Sequence, residues 1–243
     1  MEGIYIRKKI LFCLILQLFL IITFSGIVSA SENIIFIHGF FRSSSDMEWM
    51  KEEMEEYGYN SFMVDLPLSI KEFDEVVMIL EEEVKTIMRS LDWGEEVNFV
   101  AHSTGGLVLR KYLAKNSKYH YRINRCVLLG VPNQGSDLIK FSSRHLGFVE
   151  KVLRTMEILH PDNIKNRELY NSEDIEIGAI AGNKDNLLLG VFISEESDGM
   201  VEVESVKYEG LTDFTVVPYN HRELIRNREV AILTHNFLQK GEF

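Results

Sequence analysis

Cysteine has almost no structural part to play in this chain of 243 residues, which contains two, Cys13 and Cys126. Cys13 lies in an apolar N-terminal run and Cys126 in a strand-like run far downstream. The body of the chain therefore has no pair for an internal disulfide and must be held by its core, with Cys126 as a small buried hydrophobe. Positive charge is also scarce. Lys and Arg number 26 against 37 Asp and Glu, a net −11, which argues against nucleic acid as a partner and for solubility. His, Cys and carboxylates nowhere fall at convincing metal-ligand spacing, and no GxGxxG or GxxxxGK is present to cradle a phosphate. Repeats and low-complexity tracts are missing too. What remains is 46% apolar and 26% charged residues, ordinary globular values, in a length that suits one α/β domain.

Residues 1–30 stand apart. Arg7-Lys8-Lys9 precede a run from Ile10 to Val28 that carries no charge and only Gln17, Thr23, Ser25 and Gly26 as interruptions. Val28-Ser29-Ala30 closes it with an A-x-A-like end. A basic segment, an apolar segment and such an end describe a secretory signal peptide, so a secreted or extracytoplasmic protein is expected. The alternative is an uncleaved anchor over residues 10–28, because the run is about as long as a membrane span. Phe12, before Cys13, is too bulky for lipoprotein cleavage. Loss of the leader removes three positive charges and one negative, taking −11 to −13.

The remaining chain, residues 31–243, alternates strand-like and helix-like runs. Asn33–Ile37 is continuously apolar, as in a strand buried on both faces of a parallel sheet. Ser45-Asp46-Met47-Glu48 resembles a capping box opening a helix with Met47, Met50 and Met54 on one face. Ser61–Asp65 is a second strand. Residues 73–91 repeat apolar positions at helical spacing, with Glu81-Glu82-Glu83 on a solvated face. Further strands are expected at Val97–Val100, Cys126–Gly130, Ile175–Gly182 and Phe214–Val217, and a last helix from about Arg222 to Leu238. Such alternation implies βαβ units and a doubly wound, mostly parallel sheet flanked by helices. Residues 137–172 interrupt the pattern as a helical insertion. Between 138 and 170 it holds six Lys/Arg against four Asp/Glu, and it reads either as packing helices or as a lid over an apolar cleft.

The stretch that organises the rest is Val100-Ala101-His102-Ser103-Thr104-Gly105-Gly106. Strand, small-x-Ser-x-Gly and helix in that order form a nucleophile elbow. The turn is so tight that only small residues fit two positions either side of the serine, where strand and helix backbones nearly touch. Ala101 and Gly105 satisfy that need. The helix from Thr104 points free N–H groups and the positive end of its dipole at the hydroxyl. A serine nucleophile needs a base, an acid to orient the base, and donors for an oxyanion. His221, just past the Phe214–Val217 strand, is the best-placed base. His120, His145, His160 and His235 are less well placed, and His38 precedes the serine and reads as shaping its loop. For the acid, Asp198 in Ser197-Asp198-Gly199 is favoured over Asp185. For the oxyanion the N–H of Thr104 comes with the elbow, and the second donor is the N–H of Phe40, with Phe41 next.

Together His38-Gly39-Phe40, Ala101–Gly106, Leu129–Ser136 and Ser197–Val201, with His221 behind them, resemble the motifs of the α/β-hydrolase superfamily, and within it bacterial triacylglycerol lipases and esterases. The resemblance spans about residues 33–240. It implies a carboxylic ester hydrolase in which Ser103 is the nucleophile, His221 the general base and acid, and Asp198 its orienter, with no cofactor. It implies a small-molecule or lipid ester as substrate and allows contact with a membrane surface. Relatives in that group include lipid deacylases, acyltransferases and amidases, and a non-catalytic binding member of the fold is a further alternative, so the fold does not name the substrate.

Overall fold

Six short runs pair into one all-parallel sheet, in which the inner runs are apolar enough to be covered on both faces and the two edge runs are only partly buried. In the computed structural model, which describes residues 32–115, 117–136, 162, 164, 168–170, 174–187, 193 and 195–243, these strands are β1 (Asn33–Ile37), β2 (Asn60–Val64), β3 (Val97–His102), β4 (Ile123–Leu129), β5 (Glu176–Gly182) and β6 (Asp213–Val217). Their order is β2-β1-β3-β4-β5-β6. Glu32–Phe243 forms one compact unit. The expected leader, residues 1–30, and nearly all of the insertion at 137–172 lie outside the described residues.

Side-chain alternation divides the core in two. Ile35, Ile37, Phe99, Ala101, Cys126, Leu128, Ile177 and Ala179 face one way, onto α2 (Phe73–Ser90) and α3 (Thr104–Ala114). Ile34, Phe36, Val100, Val127, Leu129 and Ile180 face the other, onto α1 (Glu48–Glu56) and α5 (Arg228–Lys240). A four-residue helix, α4 (Val203–Val206), lies between β5 and β6. Met47, Met50 and Met54 are fully buried on that second side, each contributing roughly 1.5–3 kcal/mol. Cys126 is buried and unpaired, and burial pushes its thiol well above the usual range.

Three local expectations are corrected. The Ser45–Glu48 capping box does not form: a 3-10 turn covers Ser44–Met47, no side chain caps it, and Ser45 Oγ pairs with Ser43 Oγ at 2.7 Å. A capping box does form at Glu72–Glu75, at the start of α2. The last helical run breaks into a 3-10 turn at Glu223–Ile225 and α5 from Arg228, because Asn227 leaves the helical region and its side chain accepts from the Glu229 N–H at 2.9 Å. Strand β4 begins at Ile123, three residues before Cys126, because the Asn98 side chain accepts from the Arg125 N–H at 3.1 Å and keeps the polar start of the strand beside β3.

The order places the site. From β1 the chain goes one way to β2, then returns across β1 to β3, so the strand order reverses between β1 and β3. In an open parallel sheet, ligands bind in the crevice beyond the carboxyl ends at such a reversal. His38 follows β1 there and Ser103 follows β3.

Candidate active site

Ser103 joins β3 to α3 with φ 53° and ψ −134°, a left-handed conformation that costs a non-glycine residue of order 1–3 kcal/mol. Two bonds fix it. Its N–H donates to Leu129 O and its carbonyl accepts from the Gly106 N–H, both at 2.9 Å. The tightness is measurable at Gly105, where a Cβ would stand 2.2 Å from His38 O. The first turn of α3 holds no acidic residue, so nothing there offsets the positive end of its dipole.

Asp198 and His221 meet at the same carboxyl edge. Asp198 is fully buried in a turn that Gly199 closes at φ 86°, a region open to glycine at little cost. Asp198 Oδ1 accepts from the N–H groups of Met200 and Val201 at 3.0 and 2.8 Å, and Oδ2 lies 2.6 Å from His221 Nδ1. The His221 N–H donates to Asp198 O at 2.9 Å. Asn220, just before, accepts from the N–H groups of Arg222 and Glu223, the self-capping turn typical of asparagine. With the carboxylate at Nδ1, the proton belongs on Nδ1 and Nε2 is left to accept. The pair is close to the elbow: a Cβ on Gly130, one residue past the Leu129 that holds Ser103, would stand 3.0 Å from Asp198 Oδ2 and 3.1 Å from His221 Nδ1. Ser103 Oγ and His221 Nε2 are not hydrogen-bonded to each other in this structure. Such bonds are commonly open in unliganded sites and tighten with substrate.

The loop after β1 lies on the other side of Ser103, and a Cβ on Gly39 would be 3.0 Å from Ser103 Cβ. His38 builds this loop. Its Nε2 accepts from the Leu66 N–H at 2.9 Å and its Nδ1 lies 2.8 Å from Gly39 O. An N–H aimed at Nε2 means that nitrogen is bare, so the 3.3 Å approach of Asp65 Oδ1 is not an ion pair. Phe41 takes φ 53° and its N–H donates to Ser69 Oγ at 3.0 Å, which removes it as an oxyanion donor. The N–H groups of Phe40 and Thr104 have no acceptor among the described residues.

The other candidates lie elsewhere. Asp185 is exposed, and the carboxylate at His221 Nδ1 is that of Asp198. His235 stacks on Tyr57 with ring centroids 4.2 Å apart, and His120 packs near Tyr170. His145 and His160 are outside the described residues. Sequence reasoning passed over three residues. His102 is buried beside His221. Asn133 ties the loop after β4 to the segment that carries Asp198, donating to Val206 O at 2.6 Å while its own oxygen accepts from Arg110 at 2.9 Å. Arg110, buried on α3, also donates to Tyr170 O at 3.2 and 3.0 Å and lies 3.5 Å over the Tyr208 ring. Burial brings its guanidinium down to about 10. Its position on the apolar side of a helix whose other basic residue, Lys111, is partly exposed was the one available signal.

Comparison with known proteins agrees with this fold. The sequence profile of the palmitoyl protein thioesterase family matches residues 33–173, more than half of the chain. No curated protein matches significantly. Among solved structures, the mature Bacillus licheniformis lipase BlEst2 is similar with a TM-score of 0.74 at 22% identity, over 88% of this chain and 93% of that one. A metagenomic carboxyl esterase, MGS0156, is similar with a TM-score of 0.71 at 15% identity, over 88% and 77%. The phospholipase PlaB of Legionella pneumophila is similar with a TM-score of 0.67 at 15% identity, over 87% and 61%. At these identities the likeness is one of fold.

Proposed function

Since the chain belongs to the palmitoyl protein thioesterase family, a lipase- and esterase-like branch of the α/β-hydrolases, we propose that it is a serine hydrolase of carboxylic esters, acting on acyl or lipid esters through an acyl-enzyme. One observation carries the reading: a strained serine at a strand–helix junction beside a buried Asp198–His221 pair at 2.6 Å. His221 Nε2 takes the Ser103 proton as Oγ attacks the ester carbonyl. The oxyanion is held by the N–H groups of Phe40 and Thr104. His221 returns the proton to the leaving alcohol, and water then releases the acid by the same steps in reverse. Asp198 keeps the Nδ1 proton in place and stabilises the imidazolium.

The family's description favours a second reading, in which the acyl group is carried on sulfur. A thioester presents the same carbonyl to Ser103 and passes through the same tetrahedral oxyanion, so the residues keep their roles and only the leaving group changes. Both readings meet one experiment: hydrolysis of nitrophenyl esters from acetate to palmitate, and of a palmitoyl thioester, by the protein and by Ser103→Ala. The expected loss in Ser103→Ala is several orders of magnitude, with the fastest acyl chain and leaving atom identifying the substrate class. A wild-type protein no faster than Ser103→Ala on every compound would overturn both.

A further inference from the structure

We infer that His102 is a positioning residue for the base: its imidazole Nε2–H, donated to the backbone carbonyl of His221 at 3.1 Å, ties the base-bearing loop to the strand that ends in the nucleophile. The inference rests on the reading of Ser103 and His221 given above.

A carbonyl oxygen can only accept, so Nε2 carries the proton and Nδ1 is bare. Nδ1 is buried and has no partner among the described residues, with the Gly39 backbone so close that a Cβ there would be 3.0 Å away. An acceptor left unmet in the interior is unfavourable. An apolar side chain would fill this space without that cost. What the imidazole adds is the one bond to His221.

Topology explains why the bond is needed. His221 follows β6, and Ser103 follows β3, with β4 and β5 between them. His221 makes two further bonds, from its N–H and from Nδ1, and both go to Asp198 after β5. Those bonds set the ring against its carboxylate but leave its distance from Ser103 free. Its carbonyl is held from the β3 side, by the residue directly before Ser103. The rings of His102 and His221 are 4.6 Å apart, so a charge on His102 would oppose the imidazolium His221 must form. Burial first, and then His221 itself, keep the His102 imidazole well below the usual range and so neutral.

Two amides of equal polarity separate this role from mere packing. In His102→Gln the amide nitrogen reaches the place of Nε2, whereas in His102→Asn it reaches only that of Nδ1. With the full-length protein and a short nitrophenyl ester, His102→Asn is expected to lose roughly 10- to 100-fold in kcat with KM nearly unchanged, since small misplacement of a catalytic group costs on that order. His102→Gln is expected to stay within about threefold of wild type. If His102→Asn does not fold, His102→Met, which lacks a donor, gives the same comparison against Gln. Equal rates in the donor and non-donor variants, or a loss confined to KM, overturns the positioning role. A Ser103→Ala control as fast as wild type overturns the triad reading instead, so the two failures are distinguishable.

Discussion

Asp198 commits each carboxylate oxygen to a different task, which is why an isosteric change there is informative. Oδ1 receives two backbone N–H groups and Oδ2 receives His221. In Asp198→Asn the amide oxygen keeps the two backbone donors, so the NH2 group turns toward His221 Nδ1. An N–H facing Nδ1 forces the proton onto Nε2, and the imidazole is then unable to take a proton from Ser103. The expected result is a fall in kcat of roughly 10^4-fold with the fold intact, measured on a nitrophenyl ester alongside far-ultraviolet circular dichroism. Asp185→Asn, at an exposed position after β5, is expected to leave kcat within about twofold. A comparable loss in both variants would overturn the assignment of Asp198. That Asp198 and not Asp185 would lie against His221 was legible in the sequence because Gly199 marks a tight turn. The part played by His102 was not, because a histidine inside a strand shows nothing of which carbonyl from another strand will reach it.

At the level of elements, the elbow is the place where sterics leave no freedom. Gly105 packs against the backbone of His38, with 2.2 Å to its carbonyl from a Cβ position, and a backbone oxygen directly after a buried strand cannot turn aside as a side-chain tip can. Gly105→Ala is expected to cost about 1–3 kcal/mol through overpacking, seen as a lower urea midpoint with the slope unchanged. A midpoint equal to wild type would mean the helix can slide on the sheet. The same contact explains what could be read in advance. Buried strands need unbroken apolar runs, and packed helices need apolar spacing of three and four, so β1, β3 and α2 were legible almost to the residue. Helix ends were not, because a cap depends on which backbone angles the neighbouring elements impose. Ser45 carries the right side chain for a cap and is held in a 3-10 turn instead, while Glu72, a less usual choice, forms the capping box. Asn227 breaks what looks like one continuous helix for the same reason: its oxygen is better used on the Glu229 N–H than in a helix interior.

For the whole molecule, lowering the pH acts in two opposing directions. The net charge of −11 means that protonating exposed carboxylates relieves self-repulsion, which favours the folded state. Two histidines oppose this. His102 is held below the usual imidazole value of 6.5 by burial, and His235 is held below it by burial as well, with Lys240 adding to the effect and Glu32 opposing it. His235 Nδ1 lies 3.1 Å from Tyr59 OH and its ring stacks on Tyr57. Gln239 donates to the same hydroxyl at 2.9 Å, so the hydroxyl proton is free to go to Nδ1, and a protonated ring would lose that bond. A depressed folded value means the unfolded chain binds more protons just below pH 6.5. The stability that neutral His102 and His235 contribute is thus complete above about pH 6.5 and is lost as the pH falls below it toward the folded values. His235 is the residue to change, since it lies far from Ser103. His235→Asn puts its amide oxygen near the place of Nδ1, keeping an acceptor for Tyr59, and removes the titration. Between pH 7.5 and 5.5 the Tm of wild type is therefore expected to fall further than that of His235→Asn, by thermal melts in matched ionic strength. A variant whose Tm falls as far as wild type would assign the whole acid sensitivity to the protein's other groups, His102 foremost among them.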